Sequence, residues 1–357
     1  MSRNAGVERA RAVAIVAVVA AHGIMAYMTT PVGWAVADAP GSIVVDGIIW
    51  LVHAFVMPAF FVLSGFAAAQ TLLHYGARGF VQRRLRKLVL PFVVLLWPNS
   101  ELLSAVWRWG RHVSALTTHQ DIGAIEHHSD YFALGHLWFL YYLISYSALA
   151  GVLWQWPRLR TWVAQPRWSI STWVLLVTPL FALILGWQHA TEIDTPQRLL
   201  PSASAWLFHL VCFAAGFVGT APGAEPQRPR AAQRRGWLLA IAALLLFAAL
   251  VPSLSSRIAA PTWYASVLSA AVGAVLIAAF FDVQSSTALP PRLGRIAHAS
   301  YWTYILHLPI VGALQVAIFP LAVPWPLKGA IVVGATCVIC FGSWRWAQRT
   351  PLRHVFA

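Results

Sequence analysis

The chain has 357 residues, of which 59% are hydrophobic and only 10% charged, and its mean hydropathy is +0.67. A soluble domain carries about 25% charged residues, so the composition excludes an ordinary soluble protein and marks an integral membrane protein. The formal net charge of +14 would suggest a nucleic-acid partner in a soluble chain, but in a membrane chain basic residues are read loop by loop, and no nucleic acid is implied.

Apolar stretches long enough to span, roughly 17 to 25 residues each, lie at 12–30, 44–70, 88–107, 131–154, 171–189, 203–220, 237–252, 263–282, 297–319 and 326–344. The expected fold is therefore all-α: a polytopic protein of about ten transmembrane helices forming a single membrane-embedded domain over 1–357. A Pro- and Arg-rich linker near 220–236 divides six helices from four. Pro58 falls inside the long second stretch, and Pro309, Pro320, Pro324 and Pro326 blur the boundary between the last two. Twenty of the 25 basic residues sit in the N-terminus, the C-terminus and the loops near 75–87, 155–170, 220–236 and 283–296; the alternate loops hold Arg108, Arg111, Arg198, Arg257 and Lys328. The positive-inside bias then places both termini in the cytoplasm, as an even helix count also requires, with the inner membrane as the expected location.

The first stretch, ERARAVAIVAVVAAHGIMAYM, admits a guanidinium, Arg11, at the membrane edge and an imidazole, His22, deeper in. Eleven positions at ~1.5 Å rise make roughly 16 Å, about half the ~30 Å hydrocarbon core. An ionisable ring at that depth is costly and marks a substrate path, a proton relay or a cofactor, although a lone helical histidine can also just bond a neighbouring helix. Arg3, Arg9 and Arg11 ahead of a run ending in Ala20 and Ala21 also fit a cleavable leader, but the apolar helix continues through Met28.

The second helix ends in HAFVMPAFFVLSGF, residues 53–66, where Ser64 and Gly65 offer a small surface for another backbone or an acyl chain. The third begins in RGFVQRRLRKLVLPF. Arg83, Arg84, Arg86 and Lys87 there suit a phosphate-bearing cytosolic ligand, because a helix N-terminus also favours anions; lipid headgroups or topology alone explain them as well. The loops expected outside carry Asp121, Glu126, Asp130, Glu192 and Asp194 together with His112, His119, His127 and His128. No regular ligand spacing runs through them, so they read as a solvated surface that can touch a polar acceptor, and no metal site is expected. Cys212, Cys337 and Cys340 fall in apolar spans and read as small packing residues.

Further on, GHLWFLYYL at 135–143 puts His136 and Trp138 near the outer end of the fourth helix, and LGRIAHASYWTYILHLPIV at 293–311 brings Ser300, Tyr301, Tyr304 and His307. His307 is about ten residues from the inner edge, roughly 15 Å deep, so His22 and His307 share a depth and can meet. Pro309, two residues on, can leave a carbonyl free to line a polar cavity.

Together these segments resemble the acyltransferase-3 family of integral membrane acyltransferases. Glu8, Arg11 and His22 are similar to its entry motif of an acidic residue, an arginine, ten residues and a histidine. Residues 60–66 match its FFVLSGF-type segment, Arg83 to Pro91 its basic helix start, and Ser300 to Pro309 its S-Y-x-x-Y-x-x-H-x-P-like segment. The HLWFL stretch and residues 53–58 are most similar to the branch containing the glucan biosynthesis protein C, a succinyl transferase, except that Val56 stands where that branch commonly has arginine. That departure removes a charge from the second helix and favours a monoanionic or neutral acyl group such as acetyl over succinyl.

The resemblance implies transfer of an acyl group from cytosolic acyl-CoA, a substrate and not a bound cofactor, to a hydroxyl of a glycan or lipid-linked sugar at the outer face. His22 would take the hydroxyl proton or bear the acyl group, and Arg11 would orient donor or ring. Arg83, Arg84 and Arg86 would hold the CoA phosphates, with Glu8, Ser64, Gly65, His136, Trp138, Tyr304 and His307 in support and membrane lipids as surroundings. Two other readings use the same buried residues: an ion-coupled transporter or flippase, and a b-type haem protein ligated from among His22, His53, His136, His209 and His307.

Overall fold

The computed structural model describes residues 4–29, 32–38, 40–118, 134–165, 168–191, 193, 199–219, 229–255, 263–285 and 288–350. Among them the regular structure is helical. Helix α1 is Ala5–Ile24; the Asn4 side chain accepts the Val7 N–H at 3.0 Å and Glu8 sits in the first turn, which serves the open donors and the dipole of that end. A 3-10 turn, Met25–Tyr27, ends it. Then come α2 (Ile43–Arg84), a π turn (Leu85–Val89) and α3 (Leu90–Thr118). After α4 (Trp138–Leu153) follow the short α5 (Pro157–Ala164), α6 (Ile170–Leu176) and α7 (Thr178–Gln188). The chain closes with α8 (Ala203–Val218), α9 (Pro229–Ser255), α10 (Trp263–Val283), α11 (Pro291–Ile318) and α12 (Trp325–Ala347).

Each of the ten apolar stretches contains helix, but they divide differently from the expectation. Among the described residues seven helices are long and apolar enough to cross a membrane, or eight if α6 and α7, bent by 45°, make one span. The second and third stretches belong to one helical run, Ile43–Ser114, of 72 residues. At ~1.5 Å per residue that run is about 108 Å long, over three times a hydrocarbon core. Gly76 breaks it, with φ of 64° and ψ of −177°, a conformation essentially reserved for glycine. The protein is thus a multi-pass membrane protein. Helix α9 makes the point locally: it is apolar from Trp237 onward yet leaves Trp237, Leu238, Leu244 and Leu245 exposed, the pattern of a helix whose solvent is lipid.

Inside the bundle α1 lies against α11, α2 and α12, while α2 packs on α8 and α10. Small residues make the α2–α8 contact: a Cβ on Gly65 would stand 1.9 Å from the Phe213 carbonyl oxygen, and one on Gly216 1.8 Å from that of Val62. The small surface at Gly65 is therefore taken up by another backbone, that of α8, and no acyl chain can lie against Gly65.

Candidate functional site

Two helix faces meet at the centre. Arg11 and His22 are eleven residues apart, close to three turns at 3.6 residues each, so they share one side of α1. Ser300, Tyr304 and His307 follow an i, i+4, i+7 pattern and share one side of α11. Arg11 Nη2 donates to Ser300 Oγ at 3.0 Å, and Arg11 Nη1 reaches Glu8 Oε1 at 3.4 Å. Ser300 in turn donates to the Ala297 carbonyl at 2.7 Å. An exposed i,i+3 ion pair contributes little stability; its effect here is to aim the guanidinium at α11.

Deeper in, three imidazoles touch. The ring centroids of His22 and His307 are 5.1 Å apart and those of His136 and His307 5.4 Å. His22 Nδ1 lies 3.0 Å from the Val18 carbonyl and His307 Nδ1 2.7 Å from that of Tyr304. A carbonyl partner requires the proton on Nδ1, which leaves Nε2 of each ring as a lone pair. His136 is held the other way, Nε2 to the Ile305 carbonyl at 2.9 Å, leaving its Nδ1. The atoms His307 Nε2 and His136 Nδ1 are buried without a hydrogen-bond partner. Buried polar atoms are rarely left so.

Two prolines supply the anchors. Pro309 has no N–H, so the Ile305 carbonyl four residues earlier loses its helical donor and takes His136 instead. Pro91 does the same for Lys87, whose carbonyl accepts Tyr301 Oη–H at 2.7 Å. Tyr304 Oη–H is bonded to the His136 carbonyl, so α11 holds both α4 and the basic segment by tyrosine hydroxyls.

The basic segment follows the Gly76 break: the helix resumes after that residue, and Arg83, Arg84, Arg86 and Lys87 lie ~2 turns or more beyond the restart, running through the π turn Leu85–Val89 into α3. The Arg83 guanidinium stacks 3.6 Å over the Tyr75 ring, Arg84 lies 5.0 Å over Phe80, and Arg86 is exposed. Lys87 is within electrostatic range of Arg83, Arg11 and Arg84, which joins this cluster to the entry of α1.

Several contacts were not foreseen. Residues 32–38 tuck into the bundle, and Trp34 stacks on His22 with centroids 5.7 Å apart at 18°. Trp34 Nε1–H donates to Gln315 Oε1 at 2.5 Å, and Gln315 Nε2 donates to the carbonyls of His22 and Gly23, each at 3.1 Å. Gln315 lies eight residues beyond His307 on α11, and a solitary glutamine in an apolar span was the available signal. Lys328, counted among loop cations, is buried and paired with Asp38 Oδ2 at 2.6 Å.

Cys212, Cys337 and Cys340 are free thiols. His119, His127, His128, Asp121, Glu126, Asp130, Glu192 and Asp194 lie outside the described residues, and His112 is exposed on α3. Among the described residues no group of three or more His, Cys, Asp or Glu side chains has metal-holding geometry.

The described residues thus form a multi-pass helical bundle with a buried imidazole cluster that carries partnerless nitrogens. The acyltransferase domain of the acyltransferase-3 family matches residues 4–345; the chain belongs to that family and is an acyltransferase. Comparison with curated proteins and with solved structures gave no match, so the narrower likeness to the glucan biosynthesis protein C branch has nothing further to support it.

Proposed function

We propose that the protein moves an acyl group from cytosolic acyl-CoA to a hydroxyl of a periplasmic or surface glycan, or of a lipid-linked sugar, across the inner membrane. The observation that carries this reading is the His22–His307 contact, with both Nε2 lone pairs unbonded to carbonyls and Arg11 fixed on the same two helices. The acceptor hydroxyl gives its proton to His22 Nε2 as its oxygen attacks the thioester carbon; the C–S bond breaks, and the proton passes to the departing thiolate. Arg11 orients the thioester from the basic side, and Arg84, Arg86 and Arg83 meet the CoA phosphates. Tyr304 and His307 position the reacting carbonyl. Val56 is buried in α2, and with no charge there an acetyl group suits the site better than succinyl.

In this reading the membrane is crossed ten times: twice by Ile43–Ser114, once by the bent α6–α7 pair and once by α8, in addition to the other six long helices. Both termini and the basic loops then face the cytoplasm. The test compares mass spectra of surface and periplasmic glycans from cells with the protein, without it, and with His22→Ala. An acyl increment present only with the native chain supports the reading, provided that the variant inserts normally; an increment that survives His22→Ala moves the chemistry elsewhere.

A further inference from the structure

Beside the histidine cluster lies a separate pocket that the acyl-transfer scheme does not use. It is walled by α2, α4, α7, α8 and α10, and Thr191 and Ile193 of the α7–α8 connection also line it. Among the described residues no lysine, arginine, aspartate or glutamate lines it. A phosphate or carboxylate would therefore be desolvated there without a counter-charge, which is strongly unfavourable.

The walls are mainly apolar and aromatic, with Phe181 and Phe208 among them; of the polar groups along them, which include His53, Thr191 and Ser269, three others bear most on what binds. Trp138 and His209 both line the space and are only 5% and 4% exposed. His209 Nδ1 gives its proton to the Ala205 carbonyl at 2.8 Å, which leaves Nε2 as an acceptor. Neither His209 Nε2 nor Trp138 Nε1–H has a hydrogen-bond partner among the described residues. The third group is the Ala54 carbonyl, whose i+4 donor is missing because residue 58 is proline. Opposite it stands Gly273, where even a Cβ would lie 3.4 Å from that oxygen, so the absent side chain keeps the carbonyl open.

One uncharged donor and two uncharged acceptors set among aromatic rings suit an uncharged ring that carries hydroxyls. Its C–H face packs on the aromatics while its hydroxyls bond Trp138, His209 and Ala54. A hydrocarbon chain would leave all three polar groups buried and unpaired, at about 1–3 kcal/mol each. We infer that this cavity seats one neutral sugar unit of the acyl acceptor, a placement that rests on the acyltransferase reading above. His53 lines the same pocket and lies within electrostatic range of His22, so the pocket neighbours the histidine cluster.

The test uses the full-length protein purified in a detergent without a sugar headgroup. It is photolysed with a diazirine-bearing methyl β-D-glucoside and, separately, with a diazirine-bearing palmitate, and adducts are mapped by peptide mass spectrometry. The inference expects glucoside adducts on 135–146 and 203–213 that excess unlabelled methyl β-D-glucoside removes. Trp138→Phe, which keeps the ring and loses the N–H, should weaken competition roughly tenfold, the loss of one buried hydrogen bond. Gly273→Leu, which fills the space before the Ala54 carbonyl from a different helix, should abolish labelling. Glucoside adducts confined to other segments, or palmitate adducts here that glucoside does not displace, overturn the inference even if glycan acylation is observed. Glucoside labelling here in a protein that acylates no glycan leaves the sugar site standing and removes the acyltransfer reading.

Discussion

Replacing Gln315 by leucine tests whether the segment 32–38 is held against His22 as described. Gln315 is 1% exposed and makes three hydrogen bonds, accepting from Trp34 Nε1–H and donating to the carbonyls of His22 and Gly23. Leucine fills a similar volume without polar atoms. The His22 carbonyl suffers little, since it already accepts the Met25 N–H at the end of α1. Trp34 is 9% exposed, and its indole N–H would be left buried without an acceptor, a cost of about 1–3 kcal/mol. Removing both partners, in Gln315→Leu with Trp34→Phe, should recover much of that, because apolar replacement of a whole hydrogen-bonded pair is nearly neutral. The predicted coupling in a double-mutant cycle is therefore about 1–2 kcal/mol, favouring the double variant over the sum of the singles. Reversible unfolding in mixed detergent micelles measures the stabilities, and acyl transfer in the same preparations should fall several-fold in Gln315→Leu as the Trp34–His22 stack loosens. Additivity within about 0.5 kcal/mol would refute the bond and the anchoring argued from it.

Three other outcomes are expected. Replacing Arg83, Arg84 and Arg86 together by glutamine should raise the KM for acyl-CoA at least tenfold with little change in the acceptor KM, and in sealed vesicles acyl-CoA should act only from the cytoplasmic face; equal activity with both substrates confined to that face would remove the proposed arrangement. Gly216→Val should abolish accumulation of folded protein by fluorescence-detected size exclusion, since its Cβ would meet the Val62 carbonyl at 1.8 Å, a backbone atom that cannot swing aside. A topology reporter fused after Arg84 should report cytoplasm and one at Thr118 the outside; the reverse labels would place the basic cluster away from the CoA pool.

Much of this protein is determined by residue order alone. Apolar length specifies spanning helices because the bilayer core leaves no other way to satisfy a backbone, so the ten stretches all contain helix. Spacing brings His22 and His307 to one depth, and the lack of an N–H in proline makes the freed Ile305 carbonyl legible at Pro309. Sequence says nothing, however, about which helix faces which. That Arg11 lands on Ser300, that Gln315 and Trp34 close around His22, and that Gly65 meets α8 are outcomes of packing between segments far apart in the chain. The glycine ahead of the basic run agrees with the break that the structure has at Gly76, but the π turn at Leu85–Val89 carried no signal in the pattern. The cavity beside Trp138 and His209 lay furthest from view. Five helices contribute to it, and a void is a property of how surfaces fail to meet, which no single segment encodes.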